Sequence, residues 1–140
     1  MSEISVERAR ELAVRELGLA PDVPLQYWRV RRIDRPEASY FLLAFGEPDG
    51  VIALATVGIL SGMMQSSAKL AGRGPHLTVD AAGAIQRAGA AASSKAELVW
   101  RPCDLSRSPF YPFWEVQSKE GRVYVDQSGR VCAHIEKTIA

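Results

Sequence analysis

The sequence predicts an α+β fold built from two repeats, each a helix followed by antiparallel strands. Three observations carry this: an amphipathic N-terminal segment with a cap and a glycine stop, three strand-like apolar runs after it, and a return of the same order about seventy residues later. The chain has 140 residues, 47% of them hydrophobic and 24% charged, with a net charge of +1. That balance excludes a disordered chain and suits a globular domain that needs no disulfide or metal staple.

The first element is the segment Ser5 to Gly18. Ser5 offers a cap, Glu7 suits the positive end of the helix dipole, and Val6, Ala9, Leu12, Ala13 and Leu17 form one apolar stripe. Gly18 and Pro21 stop it. Strand-like runs follow at 25–33, 40–45 and 51–60, the last two joined by the turn-rich Gly46-Glu-Pro-Asp-Gly50. The uncharged stretch from Val51 to Ala68 touches the lower limit for a membrane span. Its second half, Ser61 to Ala68, is too polar for hydrocarbon, which leaves Val51–Leu60 as a buried strand.

The same order returns further along. Thr78-Val-Asp-Ala-Ala-Gly-Ala-Ile85 aligns with Ser5-Val-Glu-Arg-Ala-Arg-Glu-Leu12, and Trp28-Arg29 with Trp100-Arg101. Tyr40 then pairs with Tyr111, Gly50 with Gly121 and Gly58 with Gly129. The expected organisation is a first α-β-β-β repeat over 1–68, a Gly/Pro linker over 69–75 and a second α-β-β-β repeat over 76–140, sharing one core. Two readings of 78–92 stay open. Val79, Ala82, Ile85 and Ala88 keep helical spacing in an alanine-rich stretch, whereas Val-Asp-x-x-Gly-x-Ile also reads as strand, turn, strand.

Charge and cysteine usage narrow the classes of function. A net charge of +1 argues against a protein that neutralises phosphates, and the one basic cluster, Arg29, Arg31, Arg32 and Arg35, reads as the solvated side of a strand whose Trp28 and Val30 point inward. No nucleic-acid or membrane partner is expected. Cys103 and Cys132 are expected as free thiols, and the acidic N-terminal residues without an apolar leader suit a cytoplasmic location. Cys132 and His134 could share a strand face, with Cys103 as a third ligand, but no CxxC, HExxH or acidic ligand set accompanies them. His76 sits beside a linker proline, and Gly72-Arg-Gly74 lacks the Walker lysine. No catalytic residue, metal or cofactor is therefore expected.

From Phe113-Trp-Glu-Val116 through Lys119-Glu-Gly121 to Val123-Tyr-Val-Asp-Gln-Ser-Gly-Arg-Val131, the chain resembles the PepSY family. That pattern is an aromatic-led strand, a Gly turn, and a second strand ending in Val-Asp before a tight turn closed by glycine. The first half follows through the internal repeat, but Ala55 and Thr56 stand where Asp126 and Gln127 do, so it lacks the closing turn. The resemblance implies a cystatin-like fold and a non-enzymatic, protein-binding role that inhibits or sequesters a partner. Ala71-Gly-Arg-Gly-Pro75 with Leu77-Thr-Val-Asp80 and Gly83 is similar to a segment of small bacterial toxin-immunity proteins, which implies another binding role. A different class is a small-ligand binder or enzyme that uses the concave face of the sheet.

The segment Ser106-Arg-Ser-Pro-Phe-Tyr-Pro-Phe-Trp114 holds the candidate site. Phe110, Tyr111, Phe113 and Trp114 crowd around Pro112, and strand alternation cannot bury all four on one face. Either Phe113 or Trp114 joins the core while Tyr111 covers the sheet, or the group forms an exposed patch. The expected partner-binding set is Arg101, Arg107, Phe110, Tyr111, Phe113 and Trp114. The partner is expected to be another protein, with a homodimer as one form. Met63-Met64 offers either an adaptable contact or core filling.

Overall fold

Ser5 starts the first helix as its sequence requires: its Oγ accepts from the Arg8 amide at 3.1 Å, and α1 runs over Val6–Leu17. Gly18 ends it in the left-handed region at φ 66°, with Leu19 N–H returned to the Val14 carbonyl at 3.0 Å. A computed structural model describes residues 2–72, 74–91 and 93–133. Arg73 of the expected linker, Ala92 of the second helical segment and the candidate ligand His134 lie outside the described residues. The class is α+β, and the chain divides into two compact units, Met1–His76 and Leu77–Ala140.

In the first unit α1 is followed by β1 (Leu25–Arg32), β2 (Tyr40–Glu47), β3 (Gly50–Gly58) and β4 (Met64–Lys69), antiparallel neighbours in sequential order. Pro48 and Asp49 alone connect β2 to β3, because Glu47 pairs directly with Gly50. A bulge follows at Gly46, whose φ of 117° favours glycine. A Cβ there would also lie 2.7 Å from the Gly50 carbonyl oxygen. The buried face of α1, Ala9, Ala13 and Leu17, packs on Phe41, Leu43 and Phe45 of β2 and on Ala53, Ala55 and Val57 of β3. Each large side chain buried there contributes about 1.5–3 kcal/mol of transfer free energy.

The alternate residues Tyr40, Leu42, Leu54 and Thr56 point to the other face and are buried as well. A strand buried on both sides must be apolar at every position, which is why 40–46 reads as a continuous run. Thr56 satisfies its hydroxyl against Ser66 Oγ at 2.5 Å. Burial pushes the Tyr40 phenol well above its ordinary value, so it stays protonated.

In the second unit α2 (Ala81–Arg87) precedes β5 (Lys95–Trp100), β6 (Phe113–Ser118), β7 (Gly121–Val125) and β8 (Val131–Cys132), again antiparallel in sequential order. The helical reading of the 78–92 segment holds over a shorter span. Asp80, not Thr78, is its cap: Asp80 Oδ1 accepts from the Gly83 amide at 2.7 Å, and Gly89 at φ 68° marks the end. The Val-Asp-x-x-Gly signal belongs to the β7–β8 turn, where Asp126 Oδ1 accepts from the amides of Ser128 and Arg130 at 3.0 and 2.9 Å.

Three expectations are corrected. Among the described residues each unit carries four strands rather than three, since 64–69 forms β4 despite its serines and Val131–Cys132 forms β8. Gly58 ends β3 without a positive φ, whereas Gly129 sits in a turn at φ 89°, so the two glycines do different work. Tyr40 opens β2, but Tyr111 lies in the loop before β6. Gly50 and Gly121 do occupy the same place, each the first residue after a two-residue hairpin loop.

Candidate partner-binding site

Trp100 closes β5 and begins a long loop that returns to the sheet at Phe113. Loops of this length either stay open or are tied by their own side chains. This one is tied. Trp100 Nε1 donates to Ser106 Oγ at 3.2 Å, and Ser106 Oγ donates to the Ser108 carbonyl at 3.0 Å. Cys103 and Ser106 exchange backbone hydrogen bonds at 3.1 and 3.2 Å, with Cys103 fully buried and Leu105 nearly so. Ser108 turns the chain, since its Oγ accepts from the Phe110 amide at 3.2 Å and its carbonyl from the Tyr111 amide at 3.0 Å.

The far end is anchored by Gln127 in the β7–β8 turn. Its Nε2 donates to the Pro112 carbonyl at 3.3 Å, while its Oε1 accepts from the amides of Thr78 and Val79 at 2.9 Å each. Thr78 Oγ1 donates back to the Gln127 carbonyl. One side chain thus ties the loop end to the segment that enters α2.

Of the six residues expected to meet a partner, the structure separates two groups. Tyr111 is 47% exposed, Arg107 is exposed, and Phe110 and Arg101 are half-buried. Phe113 and Trp114 are corrected to core residues. They are consecutive in β6 and point to opposite faces, and both faces are covered there. Phe113 packs edge-on to Tyr124 with ring centroids 5.9 Å apart, and Trp114 Nε1 donates to the Val79 carbonyl at 2.7 Å. Met63 is 66% exposed, whereas Met64 packs against the α1 core as a filling residue.

The basic cluster of β1 is largely answered by nearby acids. Arg29 Nη2 lies 2.5 Å from Glu3 Oε2, a hydrogen bond that holds the Glu3 carboxyl below its usual range. Arg32 pairs with Asp34 at 2.6 Å. Val30 between them is fully buried, and Trp28 is half-buried against the His76 ring at 6.4 Å. Among the described residues no group of three or more His, Cys, Asp or Glu is placed to hold a metal ion. Cys103 and Cys132 are free thiols.

Sequence reasoning missed a second surface. Opposite the side on which Trp114 meets Val79, the strands align Lys95, Gln117 and Arg122 in one cross-strand row and Glu97, Glu115 and Tyr124 in the next. Glu115 is only 3% exposed, accepts from Gln117 Nε2 at 3.2 Å and lies 3.9 Å from Arg122 Nη1. Lys95, Ala96, Glu97, Glu115 and Gln117 line a cavity of about 460 Å³. Its signal in the sequence is charge at alternate positions: Lys95-x-Glu97, Glu115-x-Gln117, Arg122-x-Tyr124.

No helix among the described residues is long and apolar enough to cross a membrane. In comparisons with known proteins, no family model, no curated protein and no solved structure matches the chain.

Proposed function

We propose that the chain is a non-enzymatic, cytoplasmic protein-binding module, assembled from two related copies of a PepSY-like, cystatin-like unit, that holds its partner through the β5–β6 loop. The order helix, then antiparallel strands, occurs in both units and supports common descent of the copies, as do the matched hairpin glycines Gly50 and Gly121. The observation that carries the binding reading is Tyr111. It is 47% exposed on a loop whose backbone is tied at Cys103, Ser106, Ser108 and Pro112.

An aromatic side chain held in place before contact loses little conformational freedom on binding, and tyrosine and arginine are both among the residue types enriched where interfaces hold most of their binding energy. Arg107 supplies the arginine four positions earlier, and Phe110 widens the patch. A partner that presents an apolar pocket rimmed by a carboxylate would match this surface. Inhibition or sequestration of another protein, including a toxin, fits it.

Affinity capture from the native cell extract tests the reading. Wild type should recover one protein in stoichiometric amount, and the Tyr111→Ala, Arg107→Ala double variant should lose it while melting within about 2 °C of wild type, as surface substitutions do. Equal recovery by both chains, or recovery of nothing together with thermal stabilisation by a small metabolite, would sink it.

A further inference from the structure

Among the described residues β4 is an outer strand of the first unit, paired with β3 alone. Along an antiparallel pair, residues that exchange backbone hydrogen bonds alternate with residues whose amides and carbonyls point away. The Leu70 amide donates to the Ile52 carbonyl at 2.7 Å, and in that register Ala68 bonds to Leu54 and Ser66 to Thr56. The backbone groups of Ser67 and Lys69 therefore point away from β3, to the outside of the sheet. Both residues are exposed. The strand reads Met64-Gln-Ser-Ser-Ala-Lys69, without proline and with Lys69 as its only charge, so it carries little of what keeps a bare edge from pairing. At the same border Ile52 and Leu70, which face each other across the two strands, are 42% and 39% exposed and form a small apolar patch.

We propose that this edge pairs with the same edge of a second copy of the chain, antiparallel about a two-fold axis that is perpendicular to the sheet and passes between the two Ala68 residues. Ser67 of one copy then exchanges backbone hydrogen bonds with Lys69 of the other, and symmetry repeats the exchange. Ala68 faces Ala68 at the close position between those bonds, where a methyl group fits. Leu70 stands across from Ser66 and diagonal to Ala68 of the other copy, which covers part of its exposed surface. Because only outward residues can exchange bonds, the axis must fall at a residue. Centred on Lys69, it would set lysine against lysine, which is repulsive. Centred on Ser67, it would set Lys69 against Gln65, the extra residue of a bulge opposite Thr56 and Val57, where the ladder is irregular. The register centred on Ala68 is regular and keeps the lysines from facing each other, and this match of the edge to itself favours a second copy over an unrelated strand. The contact is isologous and closes at two copies. It is small and polar, so the dimer is transient, with a Kd of about 0.1–1 mM expected. It uses no residue of the β5–β6 loop and does not depend on the binding reading above.

Sedimentation of the full chain over a concentration series from about 0.02 to 1 mM tests this. Wild type should self-associate across that range. Ser67→Pro removes an amide that β3 does not use and should weaken the dimer about tenfold or more. Ser67→Glu places a carboxylate directly across from Lys69 of the other copy and should tighten it about threefold, whereas Ser67→Lys places a lysine there and should weaken it by a similar factor. Circular dichroism melts within about 2 °C of wild type establish that the two charge variants fold, and they decide the matter if the proline variant does not. A chain that stays monomeric to about 1 mM overturns the proposal. So does a dimer on which Ser67→Glu and Ser67→Lys act alike, and so does a folded Ser67→Pro variant that associates as wild type does.

Discussion

The indole Nε1 of Trp114 donates to the backbone carbonyl of Val79 at 2.7 Å within the interior of the second unit. This bond joins the second residue of β6 to the segment that leads into α2, and it places a tryptophan where its polar atom is satisfied. Replacing Trp114 with Phe keeps most of the ring and leaves the Val79 carbonyl buried without its donor. A loss of about 1–3 kcal/mol is expected from denaturant unfolding, with the midpoint lowered and the slope unchanged. A variant as stable as wild type would show that the carbonyl finds water or another donor.

Gln127 is expected to matter through its oxygen more than its nitrogen, because Oε1 accepts two amides and Nε2 donates once at 3.3 Å. Gln127→Ala should cost about 1–2 kcal/mol and speed hydrogen exchange at the Thr78 and Val79 amides. Gln127→Glu keeps both acceptor bonds and should cost less. Equal losses in the two variants would place the weight on the bond to Pro112 instead.

Two glycines should differ in a definite order. Gly46→Ala puts a Cβ 2.7 Å from the Gly50 carbonyl oxygen at φ 117°, so a loss above about 2 kcal/mol is expected. Gly18→Ala meets no atom within 4 Å at φ 66° and should cost about 1 kcal/mol from backbone strain alone. Thermal melts of the pair read the order directly.

Asp34 makes stability depend on acid. Burial raises its pKa, but the hydrogen bond and charge of Arg32, with the amides of Asp34 and Arg35, outweigh it and hold the carboxyl below its ordinary value of 3.8. A carboxyl depressed in the folded state stabilises fully above its unfolded value and loses that contribution as pH falls through its folded value. Asp34→Asn should therefore be less stable than wild type at pH 7 by about 1 kcal/mol or less, with the gap closing as pH drops below about 4. A gap that persists unchanged in acid would assign the loss to something other than charge.

How much of this could be read from the sequence follows the strength of local signals. Ser5, Gly18 and the stripe of Ala9, Ala13 and Leu17 specify α1 to within its observed bounds, since cap, stop and periodicity agree. The apolar runs locate β2 and β3, and their continuity reflects burial on both faces. Met64–Lys69 escaped notice because an edge strand half in water needs no apolar run, and Ser66 and Ser67 look like loop residues until Thr56 is seen beside them. Thr78 looked like a cap because it aligns with Ser5. Its hydroxyl is instead committed to Gln127, a partner 49 positions away that no local pattern reveals.

The candidate site shows the same division. Crowding of aromatics around Pro112 correctly marks a place where they cannot all be buried alike, but it does not say which emerge. Position decides: Phe113 and Trp114 belong to β6 and enter the two faces, while Tyr111 lies before the strand and stays exposed. The charge rows of the second surface need pairing register, because Lys95 and Arg122 become neighbours only through Gln117.

The claim on which the binding reading rests is that the β5–β6 loop is ordered before any partner arrives, and hydrogen exchange of the Cys103, Ser106 and Tyr111 amides in the isolated protein tests it most directly. Each amide donates to a carbonyl within the loop. The expected result is exchange slowed by about a hundredfold or more against an unstructured chain, with protection lost first at Tyr111 when Ser108 is replaced by Gly. Exchange of all three at unstructured rates would contradict the account, because a loop that must order on contact would not hold Tyr111 ready for a partner.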